Sequence, residues 1–76
     1  MGADSRNVTV SEADAKKTAL DRVSGATDKD LYEWKLDYDD RRPEYEGKII
    51  YGGTEYEFTI DAATGSVMEW DAEKVR

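Results

Sequence analysis

Apolar and polar residues alternate with a period of two through much of this chain, most clearly from Tyr45 to Gly65. Two alternating runs, Tyr45 to Tyr51 and Thr54 to Ile60, flank the dipeptide Gly52-Gly53. That arrangement predicts a β-hairpin with the two glycines as its turn. Opposed pairs on one face are then Tyr51 with Thr54, Ile49 with Tyr56, Gly47 with Phe58, and Tyr45 with Ile60. The other face sets Lys48 across from Glu57, an attractive pair. A one-residue slip would carry every apolar group into water, so the register is firm.

Upstream the period changes. Val8-Thr9-Val10 is a short β-prone lead-in, and Ser11, followed by Glu12 and Asp14, has the form of a helix N-cap. The spacing of Ala15, Ala19, Leu20 and Val23 predicts an amphipathic helix from about Glu12 to Val23, stopped by Ser24-Gly25. Alanines on successive turns let such a helix lie close over aromatic side chains. Ala26 to Asp30 reads as a polar linker.

From Tyr32 the alternation returns, with Tyr32, Trp34, Leu36 and Tyr38 on one face and Glu33, Lys35 and Asp37 on the other. Residues 39–42 read as a turn, and Pro43 enters the next strand where a missing donor is tolerable. Charge chooses the register of this pair. Setting Tyr38 against Tyr45 would oppose Asp37 to Glu46 and Lys35 to Lys48. Moving the partner back by two residues opposes Lys35 to Glu46 and Glu33 to Lys48, both attractive, and lays Trp34 over Gly47. The second register is favoured, with a four-residue turn.

Asp61 to Gly65 is a further turn, and Ser66 to Asp71 a last strand with a conflict in it. Val67 is apolar on one parity, Met68 and Trp70 on the other. Either a bulge near the turn reconciles them or Trp70 covers the outer edge. The expected fold is α+β, one N-terminal helix on one face of a four-stranded antiparallel meander (α-β-β-β-β) with a charged outer face. Residues 1–7 are expected to be a disordered tail or an expression remnant, 8–72 a single domain, and 73–76 a charged tail.

Size and charge narrow the function. One domain of 76 residues buries only about 60% of the surface its unfolded chain exposes, so its stability should be modest. Eighteen acidic against 11 basic side chains give a net charge of −7, which repels phosphate backbones and anionic membranes. No apolar run has the length of a membrane span or of a signal-peptide core. Met1-Gly2 lacks the Ser or Thr that myristoylation needs at position six, where Arg6 stands. Asn7-Val8-Thr9 matches the glycosylation pattern by chance.

Candidate chemistry is sparse. With neither histidine nor cysteine there is no imidazole base, thiol nucleophile or usual zinc site. Ser5, Ser11, Ser24 and Ser66 fit tail, cap and turn positions, and Gly52-Gly53 precedes a strand rather than a phosphate-binding helix. Paired carboxylates for glycoside chemistry would need a cleft that one thin sheet does not offer. No catalytic residue and no cofactor are therefore expected. Asp37, Asp39 and Asp40, with Glu44 nearby, form a weak candidate for a calcium-type cation, although Arg41 and Arg42 would neutralise it. Tyr32, Tyr51 and Trp70 at the rim of the helix-covered face are the candidate interface residues. The open edges of a meander also give a route to strand addition by a partner, or to weak homodimerisation.

Several segments together resemble the PepSY domain of bacterial peptidase propeptides and YpeB-like proteins. They are Val10 to Leu20, Leu36 to Asp40, Arg42-Pro43-Glu44-Tyr45-Glu46, Tyr56 to Ala62, and Thr64-Gly65-Ser66-Val67-Met68. The most specific part is Tyr56-x-Phe58-x-Ile60-Asp61-Ala62-x-Thr64-Gly65. Two departures concern geometry alone. Arg41 or Arg42 stands where a turn glycine is common, and Gly47 where a β-branched residue is usual. The resemblance implies a non-catalytic module, extracytoplasmic and part of a longer protein, that restrains a peptidase. It carries over no catalytic residue. The competing expectation is a structural or self-associating module of an envelope protein.

Overall fold

In the computed structural model, which describes residues 9–39 and 42–75, one helix, α1 (Glu12–Asp21), precedes four strands. These are β1 (Leu31–Asp39), β2 (Arg42–Tyr51), β3 (Thr54–Asp61) and β4 (Val67–Lys74), in the antiparallel order β1-β2-β3-β4. Val8 and the residues before it, with the two residues 40 and 41, lie outside the described set.

Ser11 caps α1 as its position predicts, its hydroxyl accepting the Asp14 N–H at 3.1 Å. The α-helix ends two residues before Val23, because the last turn tightens. Arg22 donates to the Ala19 carbonyl and Val23 to that of Leu20, both three residues back. Val23 nevertheless stays on the buried stripe with Ala15 and Ala19, while Leu20 is half-buried. The polar linker contains one 3-10 turn, Asp28–Asp30, where the Asp30 carboxylate accepts the Thr27 N–H at 2.9 Å.

The central hairpin has the register its alternation predicts, with Tyr51 opposite Thr54, Ile49 opposite Tyr56, Gly47 opposite Phe58 and Tyr45 opposite Ile60. Gly52 and Gly53 take φ of +63° and +79°, the two positive values a tight primed turn needs. Lys48 lies across from Glu57 in this ladder, but its ammonium pairs with Glu33 of β1 at 3.6 Å.

β1 adopts the second of the two registers weighed above, with Lys35 against Glu46, Glu33 against Lys48 and Trp34 over Gly47. The Lys35–Glu46 pair closes at 3.5 Å. The ladder continues one pair beyond the four-residue turn expected there, to Asp39 opposite Arg42. A bulge between Leu31 and Glu33 was not legible in the alternation. It takes Tyr32 off the face it was expected to share with Trp34.

The conflict in β4 is resolved by a bulge as well. Phe58 pairs with Trp70, Thr59 with Glu69 and Ile60 with Val67, leaving Met68 as the extra, exposed residue. Val67 and Trp70 therefore both face the helix side, and Trp70 does not cover the outer edge. β4 also runs past Asp71, so that Glu73 and Lys74, expected in the tail, pair with Glu55 and Thr54.

Gly47 is the narrowest point of the core. A Cβ built there would lie 2.7 Å from the Phe58 ring, 2.9 Å from the Trp34 ring and 2.9 Å from the Glu33 carbonyl. Trp34 stacks on Tyr45 at 5.2 Å between ring centroids, Phe58 on Trp70 at 5.5 Å, and Tyr56 meets Trp70 at 5.7 Å. Aromatic rings thus run across all four strands on the helix side. The helix closes over this row with two cations, Lys16 5.4 Å from the centroid of Trp34 and Arg22 4.7 Å from that of Trp70. Ile49, Phe58, Ile60 and Ala62 are fully buried beneath. The Tyr45 hydroxyl, donating to the Val10 carbonyl at 2.8 Å, ties the lead-in to the sheet.

Gly47→Val should lose about 1–3 kcal/mol of stability, because the Glu33 carbonyl is backbone and cannot step aside as a side chain would. Urea denaturation measures this, and a gain in stability would show that the slot is not needed.

Candidate protein-interaction surface

The residues that drew functional interest do not gather in one place. Tyr51 sits beside the turn after α1, close enough that a Cβ on Gly25 would collide with its phenol. Trp70 is half-buried in the aromatic row under Arg22. Both sit on the helix side, Trp70 packed against the core and Tyr51 with 38% of its surface still exposed. Tyr32, displaced by its bulge, is half-exposed, and its hydroxyl donates to the Glu55 carboxylate. Glu55 lies across from Ile50, on the face away from the helix.

Asp37 of the acidic hairpin end is exposed, lies across from Glu44, and accepts the Tyr38 N–H at 2.9 Å. Asp39 contributes its backbone to the β1–β2 ladder, and Asp40 lies outside the described residues. Among the described residues, no group of three or more acidic side chains is placed to hold a metal ion. Two of the described serines have local roles. Ser11 caps the helix, and Ser66 donates its N–H to the Thr64 hydroxyl at 3.2 Å and accepts the Asp61 N–H at 2.8 Å.

The β1–β2 charge pairs of the outer face are those the sequence predicts, and what the residue-by-residue reading missed is the opposition of carboxylates on its β3–β4 half. On the β1–β2 half, Lys35 and Lys48 neutralise Glu46 and Glu33. On the β3–β4 half, the ladder sets Glu55 directly against Glu73 and Glu57 against Asp71, with Glu69 opposite Thr59. Like charges directly opposed destabilise a sheet by roughly 0.2–1 kcal/mol a pair. A shallow groove of about 290 Å³ runs over this face, floored at Gly47 and walled by Glu57, Glu69 and Asp71 on one side and Lys35 and Lys48 on the other.

The field of these carboxylates reaches Tyr32. Its hydrogen bond to Glu55, some desolvation, and the nearby charges of Glu55, Glu33 and Glu57 push its pKa up to about 12. Burial, helped by Glu12 and Tyr38, also raises that of Tyr45. A raised phenol pKa favours the protonated fold, so this contribution is present below the unfolded value near pH 10 and is lost as pH rises through about 12. Tyr32→Phe should therefore flatten the loss of stability between those values. It should also remove one late-titrating phenol from the ultraviolet absorbance titration of the folded protein.

The turn between β3 and β4 is built by a short run of specific residues. Asp61 accepts the Ala63 N–H on its carboxylate at 2.8 Å and the Gly65 N–H on its carbonyl at 2.7 Å. Ala62 is fully buried, and its carbonyl accepts the N–H groups of Thr9 and Val10. Ile60-Asp61-Ala62-x-Thr64-Gly65 is thus a structural signature rather than a reactive one. A family model described as PepSY, peptidase propeptide and YPEB domain, matches residues 9–71. Searches of curated proteins and of solved structures found no match. The match takes in the helix, strands β1 to β3, the first part of β4 and the turn whose bonds the signature residues make, and on that ground the chain belongs to the PepSY family.

Proposed function

We propose that this chain is a non-catalytic binding module that restrains a peptidase, acting outside the cytoplasm or at the bacterial cell envelope as part of a longer protein. The observation that carries this reading is the family match over residues 9–71, whose description is that of a peptidase propeptide. The surface best suited to contact is the β3–β4 half of the outer face. There Glu55, Glu57, Glu69, Asp71 and Glu73 project from paired strands, and no salt bridge joins any of them to a described basic side chain. Such a field steers and orients a partner with a basic surface. A second reading, a structural module without inhibitory action, is favoured by the two open sheet edges.

The test is binding and activity with peptidases encoded beside this chain's gene. The wild-type domain should bind one of them and slow its turnover, more strongly at low salt. The double charge reversal Glu57→Lys with Asp71→Lys should weaken that binding about tenfold or more. It should leave the domain folded though slightly less stable, since the two new lysines oppose each other across β3 and β4 and the one at position 57 also faces Lys48; circular dichroism checks the fold. Absence of binding and slowing in every such pair would refute the inhibitory reading.

A further inference from the structure

The two edges of the meander, β1 and β4, differ in what they can accept. On β1 the outward backbone groups can be identified. The Pro43 carbonyl accepts the Ala62 N–H at 3.0 Å and so points toward β3, and proline has no N–H to offer β1. Tyr38, directly opposite Pro43, therefore turns its own N–H and C=O to the free side. The same alternation turns those of Trp34 and Leu36 outward. The Tyr38 N–H is held for the moment by the neighbouring Asp37 carboxylate at 2.9 Å. On the helix side of this edge Leu36 and Tyr38 remain 43% and 42% exposed.

We propose that the free edge of β1 pairs antiparallel with β1 of a second copy, with Leu36 on the two-fold axis, to make one sheet through both molecules. The inference is independent of the peptidase reading. In this register Leu36 meets Leu36, and Trp34 meets Tyr38 of the second copy, giving an apolar seam between the two helices. On the outer face Lys35 meets Asp37 of the second copy, twice by symmetry.

Charge selects this register. An axis at Lys35 would oppose two lysines and set Glu33 against Asp37. An axis at Trp34 would draw the bulged Tyr32 into the ladder and set Asp37 opposite Leu31, giving it no cation. Asp37 instead faces Glu44 within its own sheet and gains a cation from the second copy. At the margin Glu33 approaches Asp39, but Glu33 is already neutralised by Lys48.

The other edge rejects self-pairing. Any axis between residues 69 and 72 of β4 opposes carboxylates of Glu69, Asp71 and Glu73. An open-ended β1-to-β4 contact with Lys35 on Asp71 sets Glu33 against Glu73 and Asp37 against Glu69. Closure at β1 is thus favoured over a growing fibre.

Sedimentation velocity over a concentration series tests this, using wild type, Lys35→Glu and Asp37→Lys. Wild type should dimerise reversibly with a Kd of about 10 μM to 1 mM, as a small interface allows. Each variant alone should stay monomeric, because it sets like charges across the axis. An equimolar mixture of the two should recover the dimer, since opposite charges face each other again at both positions. Exchange protection of the Trp34 and Leu36 amides should rise with concentration in wild type and in the mixture, and in neither variant alone. Circular dichroism checks the fold of each variant, and should Lys35→Glu unfold, Asp37→Lys alone carries the test. A wild type that is monomeric throughout would overturn the proposal, and so would a dimer that persists in a folded Asp37→Lys variant.

Discussion

Position 47 must carry no side chain, and much of the rest of the fold depends on that constraint. Gly47 lies between Trp34 of β1 and Phe58 of β3, with the Glu33 carbonyl closing the third side. A ring as large as tryptophan can cross a central strand only where that strand has an empty place. Once Trp34 is seated there, the β1 register follows, and with it the Lys35–Glu46 and Glu33–Lys48 pairs on the other face. These exposed pairs contribute little energy each. They agree with the core about which register is right, and that consistency makes the register unique.

The helix is fitted to the aromatic row more than to any aliphatic core. Ala15 and Ala19 bring the helix close, while Lys16 and Arg22 extend over the two tryptophans at either edge. Long basic side chains here cover apolar rings with their stems and meet the ring faces with their charge. A chain this short and this acidic has few aliphatic residues to spend, and the aromatics supply the bulk that closes the layer.

The two faces differ in what their side chains meet. The helix face is given over largely to packing, with Trp70 inside the aromatic row and Tyr51 beside the turn after α1. The outer face carries charges in a pattern that folding alone does not call for, neutralised on β1–β2 and opposed on β3–β4. The family signature lies on neither reactive ground. It encodes the β3–β4 turn and its anchor to Thr9 and Val10. PepSY membership therefore identifies a scaffold and names no partner.

The sequence by itself determined the helix, the central hairpin and its register, the cap at Ser11, and the choice between two pairings of β1 with β2. All of these rest on near neighbours or on alternation, whose period is set by backbone geometry. It also carried the family, because the Asp61 to Gly65 turn is local. Tertiary structure alone decided the bulges at Tyr32 and Met68, the end of α1 in a tightened turn, and the extension of β4 through Lys74. A bulge shifts parity by one residue in response to what lies across the sheet, and no local pattern records that. The same limit hid the opposed carboxylates of β3 and β4. Glu57 and Asp71 stand fourteen residues apart in the chain and meet only because two strands and a bulge bring them into register.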